Sequence, residues 1–119
     1  MARHLVDDER ADRLDAALRG DLIRPDDPRY DDARAVWNGM IDRHPALVAR
    51  CTGPADVASA VAFARGNDLP LSVRGGGHNV AGSAVREDGL VIDCSELTGV
   101  EVDPGARTAR VGAGATWAD

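Results

Sequence analysis

A chain of 119 residues, 44% of them apolar, is one domain or part of one, with material for a core and too much of it for wholesale disorder. The formal charge of −6, with fourteen arginines, no lysine and the arginines interleaved with Asp and Glu, argues against nucleic-acid binding, but leaves room for one small anionic ligand held by backbone N–H groups. No apolar run approaches a membrane span, and the polar, acidic start MARHLVDDERADR lacks the character of a signal peptide, so no membrane partner and a cytoplasmic location are expected.

In DDERADRLDAALRG, Ala11, Leu14 and Leu18 recur at helical spacing, with acids early and Gly20 just past the end. That pattern predicts a helix from about Asp7 to Arg19. The Pro/Asp-rich RPDDPRYDD reads as a loop. YDDARAVWNG then places Tyr30, Ala33 and Trp37 on one helical face and stops at Asn38-Gly39. PALVARC is a short apolar run, and GPADVASAVAFARGN carries the strongest helix pattern: Pro54 suits the first turn, Asp56 faces the positive end, and Val57, Val61 and Ala64 share a stripe. LPLSVR and GLVIDCS read as strands, so strand, helix, strand implies a right-handed crossover and a small parallel sheet. GVEVDPGARTARVGAG holds two alternating segments joined by Asp103-Pro104-Gly105, a hairpin signal. GATWAD resembles a helix start, with Thr116 as cap and Asp119 in the first turn, which suggests that the domain continues past residue 119; a frayed tail is the alternative. Residues 1–40 thus read as a helical lead-in and 41–119 as the body of a partial domain.

Cys51 and Cys94 form neither a CxxC nor a ligand cluster and read as reduced, buried small residues. His4 near the terminus and His44 before Pro45 read as solvated histidines, and with His78 they have no metal-ligand spacing. Trp37 and Trp117 read as packing residues.

The stretch SVRGGGHNVAGS, Ser72 to Ser83, sets three glycines between Arg74 and His78 after a strand. Glycine takes positive φ and admits a ligand to successive N–H groups, so Gly75, Gly76 and Gly77 suit a pyrophosphate. The stretch is neither a P-loop, since no Lys-Ser/Thr follows, nor G-x-G-x-x-G opening a helix. On spacing alone, a surface loop with an incidental histidine stands equally with a cofactor loop. Arg74 reads either as a counter-charge to pyrophosphate or as an ordinary strand-end arginine.

LSVRGGGHNVAGSAV followed by GLVIDCSELTGVEVDPGARTARVGAGATWAD resembles the start of the FAD-binding domain of the vanillyl-alcohol oxidase/p-cresol methylhydroxylase (PCMH-type) superfamily, and within it the berberine-bridge-enzyme-like oxidases. YDDARAVWNGMIDRHPALVARCTGPADVASAVAFAR resembles the segment leading into it, so the likeness covers about residues 21–119. The resemblance implies an α+β fold: the first βαβ subdomain of a PCMH-type domain plus the start of the second. It implies that the backbone from Arg74 to His78 wraps the FAD pyrophosphate, with Asn79 and Gly82 helping to shape the pocket. His78 matches the histidine that attaches covalently to the 8α-methyl carbon of the flavin, a task for a neutral imidazole held in a tight loop. For an intact relative it implies hydride transfer from a small-molecule substrate to flavin N5. No catalytic base is assigned in this chain, and neither cysteine lies in the context of a second flavin link. A flavin module without the covalent bond, and a non-functional gene fragment, stand as alternatives.

Overall fold

The computed structural model describes residues 6–36, 38–77, 82–116 and 118. Helix α1 spans Asp8–Ala17, and its cap Asp7 accepts a hydrogen bond from the Arg10 N–H at 2.9 Å. Strand β1, Asp21–Ile23, precedes a short helix α2, Tyr30–Arg34. Strand β2, Leu47–Arg50, leads into α3, Pro54–Gly66, which starts on Pro54 and ends as Asn67 N–H bonds back to the Phe63 carbonyl. Strands β3, Leu71–Arg74, and β4, Leu90–Asp93, follow, then the hairpin strands β5, Val100–Asp103, and β6, Thr108–Val111.

Four strands form one sheet in the order β1-β2-β4-β3, with β4 parallel to both its neighbours and β1 antiparallel at the edge. The expected βαβ unit is therefore present, with β4 inserted between the two strands that α3 connects. Strand alternation splits the core in two. Leu47, Ala49, Leu90 and Ile92 face α1 and α3, where Ala11, Leu14, Ala60 and Ala64 complete one cluster. Val48 and Val91 face the other way, toward Tyr30 and Ala33 of α2 and toward Val85. Strand β4 is buried on both faces, which is why Leu90, Val91 and Ile92 are apolar in succession rather than alternating. The small side chains of α3, Ala60 and Ala64, let that helix sit close to the sheet. Cys51 and Cys94 are free and buried, as expected.

Two expectations need correction. The helix opened by Tyr30 ends at Arg34, short of Asn38-Gly39, because Ala35 turns to extended backbone (φ −67°, ψ 141°). The Arg34 guanidinium ties that end to the Asp42 carboxylate and to the Arg43 carbonyl, the latter at 3.2 Å, which steers the chain toward β2. Trp37, expected on that helix, lies outside the described residues. The second correction is β1, which was not foreseen: Leu22 and Ile23 enter the core by pairing with Ala49 and Val48. The hairpin is found as expected, with Arg107 at positive φ (56°) in the turn. No helix among the described residues is long and apolar enough to cross a membrane.

Candidate functional site

The three parallel strands end together at Arg50, Asp93 and Arg74, which are register partners across β2, β4 and β3. From β2 the chain leaves to α3 on one face of the sheet. From β3 it leaves by the glycine loop toward the other face, where Val85 is buried. The carboxyl ends of the strands are where ligands of open parallel sheets bind.

The glycines of the loop have different tasks. A Cβ on Gly75 would lie 2.3 Å from the Ala113 carbonyl oxygen, so this position is glycine because the chain after β6 crosses it. Gly76 is exposed and free to face a ligand. Gly77 is buried at φ +74°, and a Cβ there would come within 3.0 Å of Arg74 Nε. Gly82, at φ +73°, packs on the Ile41 side chain. Its carbonyl accepts from Arg43 Nη1 at 2.7 Å, which ties the far end of the loop to the segment before β2. His78 and Asn79 lie outside the described residues, as do His4 and Trp117.

Arg74 is not a freely solvated arginine. Its Nη1 donates to the Ala33 carbonyl of α2 at 3.2 Å and lies 3.9 Å from the Asp93 carboxylate. Its Nε is buried and has no hydrogen-bond partner among the described residues. Asp93, which the sequence reading did not single out, is fully buried, and it accepts from the Ser95 N–H at 2.9 Å while facing Arg50 Nε at 3.5 Å.

The segment after β6 is a second feature missed from sequence. Gly112 N–H bonds to the Gly99 carbonyl at 2.8 Å and Gly114 N–H to the Leu97 carbonyl at 3.0 Å, while a Cβ on Gly114 would lie 1.8 Å from the Cys94 carbonyl oxygen. VGAGA is glycine-rich because it is pressed against the ends of β3 and β4. The close spacing of Gly112 and Gly114, read beside the glycine loop, was the available signal. A groove of about 490 Å³, lined by Pro54, Val57, Leu97 and Val111, adjoins this segment and shares Gly112 and Ala113 with it.

The remaining candidates carry no site chemistry. Burial, with the nearby Asp56, Cys94 and Asp93 carrying the same sign, pushes the Cys51 thiol up to about 12, and burial raises that of Cys94, so both are inert neutral thiols. His44 stands with Nδ1 3.8 Å from the Glu87 carboxylate, far from the glycine loop in sequence and fixed to a turn.

The residues present fit an anionic dinucleotide. The loop offers bare backbone at Gly76, a positive-φ turn at Gly77 and, behind it, the buried Nε of Arg74, which has no partner among the described residues, while Asp93 faces two arginines.

Parallel strands, a glycine turn at their carboxyl ends and a following antiparallel hairpin define a mixed α+β cofactor-binding domain. Residues 45–119 match the family described as FAD binding domain, and the chain belongs to that family. (R)-6-hydroxynicotine oxidase of Paenarthrobacter nicotinovorans is 37% identical over 103 residues, 87% of this chain and 22% of that protein. The crystal structure of 6-hydroxy-D-nicotine oxidase from Arthrobacter nicotinovorans is similar at a TM-score of 0.77 and 38% identity, over 82% of this chain and 22% of that one. BBE-like 1 of Physcomitrella patens gives a TM-score of 0.80 at 27% identity, over 87% of this chain and 23% of that one. The resemblance to PCMH-type and berberine-bridge-like flavoproteins is thereby borne out, and the chain carries FAD-binding domain sequence of FAD-linked oxidoreductases. It spans about 22% of the length of the curated relatives it matches.

Proposed function

We propose that this chain supplies the diphosphate-binding loop of an FAD-dependent oxidase and carries its flavin covalently on His78. The observation that carries the reading is the loop itself: a glycine turn with positive φ at Gly77, set at the carboxyl ends of three parallel strands above the Arg74 guanidinium. On the family resemblance, the backbone from Arg74 through Gly75, Gly76 and Gly77 to His78 would wrap the pyrophosphate, and Asn79 and Gly82 would help to shape the pocket. His78 follows this turn in sequence, and a nitrogen of its neutral imidazole would be the atom joined to the 8α carbon. When bound, FAD supplies the two-electron acceptor for oxidation of a small-molecule substrate.

The activity belongs to the complete oxidoreductase, and this chain's part in it is to bind and orient the cofactor. The family match and the identity to FAD-linked oxidases support this reading. Two buried free cysteines agree with the reducing cytosol as its location.

The test is intact mass under denaturing conditions, for this chain and for His78→Ala, each expressed with flavin available. A gain of one FAD in the parent and none in the variant is the expected result. Flavin that binds but is released on denaturation would replace the covalent reading with a non-covalent module. No flavin in either protein would overturn the chain as a self-sufficient flavin binder.

A further inference from the structure

Across the carboxyl ends of the parallel strands runs a charged row, Arg50, Asp93 and Arg74, whose central member has no place in the reading above. Asp93 is 0% exposed, on the same face of the sheet as Val91. A carboxylate there is costly unless paired and hydrogen-bonded, and a well-packed apolar residue would serve stability as well. Its contacts suggest another task. Oδ1 is held by the Ser95 N–H at 2.9 Å, which fixes the rotamer, and Oδ2 points between Arg50 Nε at 3.5 Å and Arg74 Nη1 at 3.9 Å. The same Arg74 nitrogen donates to the Ala33 carbonyl at 3.2 Å. The guanidinium is thus anchored at its outer end by α2 and β4, while Nε is left buried, unpartnered among the described residues and directly under Gly77. Arg50, one strand beyond β4, balances Asp93 from the side away from the loop.

We propose that Asp93 is a positioning residue: it holds the Arg74 guanidinium beneath the Gly75–Gly77 turn, so that the turn is presented to a diphosphate with a fixed positive charge behind it. This rests on the reading of the loop as the diphosphate site. It also bears on position 77, where φ is +74° and a Cβ would lie 3.0 Å from Arg74 Nε, so that the guanidinium would have to give by a few tenths of an ångström.

The experiment measures the affinity of the full chain for ADP, which carries the diphosphate without the flavin ring, by calorimetry beside each protein's thermal midpoint. Asp93→Asn and Arg74→Lys are each expected to weaken ADP by about tenfold or more, as for loss of one charge-assisted contact. Arg50→Gln removes a partner of the same buried carboxylate on the other side, and should lower the midpoint while leaving ADP within about threefold. Arg74→Lys keeps the charge but loses the Nη1 that faces both the Ala33 carbonyl and the Asp93 carboxylate, so it reports on the held guanidinium if Asp93→Asn does not fold. Tighter ADP binding in Asp93→Asn, the result of simply deleting a negative charge, would overturn the proposal. So would an Arg50→Gln protein that loses ADP as severely as Arg74→Lys, since that is a structural effect. Wild-type chain that binds no ADP overturns the loop reading and this inference together, whereas wild-type binding that the Asp93 and Arg74 variants leave intact overturns this inference alone.

Discussion

Asp56 ties the two helices on one face of the sheet together, and its protonation should be visible in stability. It is 2% exposed in the first turn of α3. Its Oδ1 accepts from Arg19 N–H at 2.8 Å, and Oδ2 from Gly20 N–H, Thr52 N–H and Thr52 Oγ1, each at 3.0 Å. Burial alone would raise its pKa, but the backbone donors of Arg19, Thr52 and Gly20 outweigh it and hold the carboxyl at about 2 against an ordinary 3.8. At about 1.4 kcal/mol per unit, that difference is worth about 2 kcal/mol of folding free energy. Because the folded value is the lower one, the contribution is complete above the unfolded value and is lost as pH falls through 3.8 toward about 2. Asp56→Asn turns an acceptor into a donor that faces N–H groups, so it should cost at least this much near neutral pH. The assay is denaturant unfolding of wild type and Asp56→Asn between about pH 6 and pH 2, the difference between the two isolating this one carboxyl from the other acids. The gap should be about 2 kcal/mol or more at pH 6 and shrink steadily below pH 4. A gap that stays flat over that range, or an Asp56 carboxyl that titrates near 3.8 by NMR, would refute the account.

Further predictions concern the loop and the thiols. Gly75→Ala should destabilise the chain by about 1–3 kcal/mol and loosen residues 112–115, because its Cβ meets the Ala113 carbonyl at 2.3 Å; Gly99→Ala, with nothing within 4 Å, is the control, and thermal unfolding compares them. Equal midpoints for the two variants would show that the segment after β6 does not pack on the loop. Cys51, with its thiol pushed up to about 12, should resist alkylation in the folded chain at pH 8 and react once denaturant is added. Rapid labelling without denaturant would mean that the β2 end of the core is open.

Much of this architecture is legible in the sequence. Helix α3 was announced by Pro54, by Asp56 in its first turn and by the Val57, Val61, Ala64 stripe, of which Ala64 is buried and the two valines partly so; β4 by GLVIDCS; the hairpin by Asp103-Pro104-Gly105 between alternating segments. These are local signals, in which cap, turn and neighbouring residues fix backbone torsion; they do not mark a buried face in the hairpin, whose strands are exposed throughout. The glycine loop was legible for the same reason, and its family resemblance singled out Arg74, Gly75, Gly76, Gly77, His78, Asn79 and Gly82.

What the sequence could not assign depends on residues distant along the chain. Three residues of β1 have no period of their own and become a strand only by pairing with β2. Helix α2 stops early because Arg34 is captured by Asp42 and Arg43, not because of its own propensities. Gly75, read as room for a ligand, is equally room for the Ala113 carbonyl. Asp93 read as the polar end of a strand until the register set it between Arg50 and Arg74. Local torsional preference and hydrophobic period are written residue by residue, so the sequence by itself determined most of the elements; where β1 pairs, where α2 stops and which groups meet across strands depend on register and on how the sheet packs, and that only the tertiary structure decided.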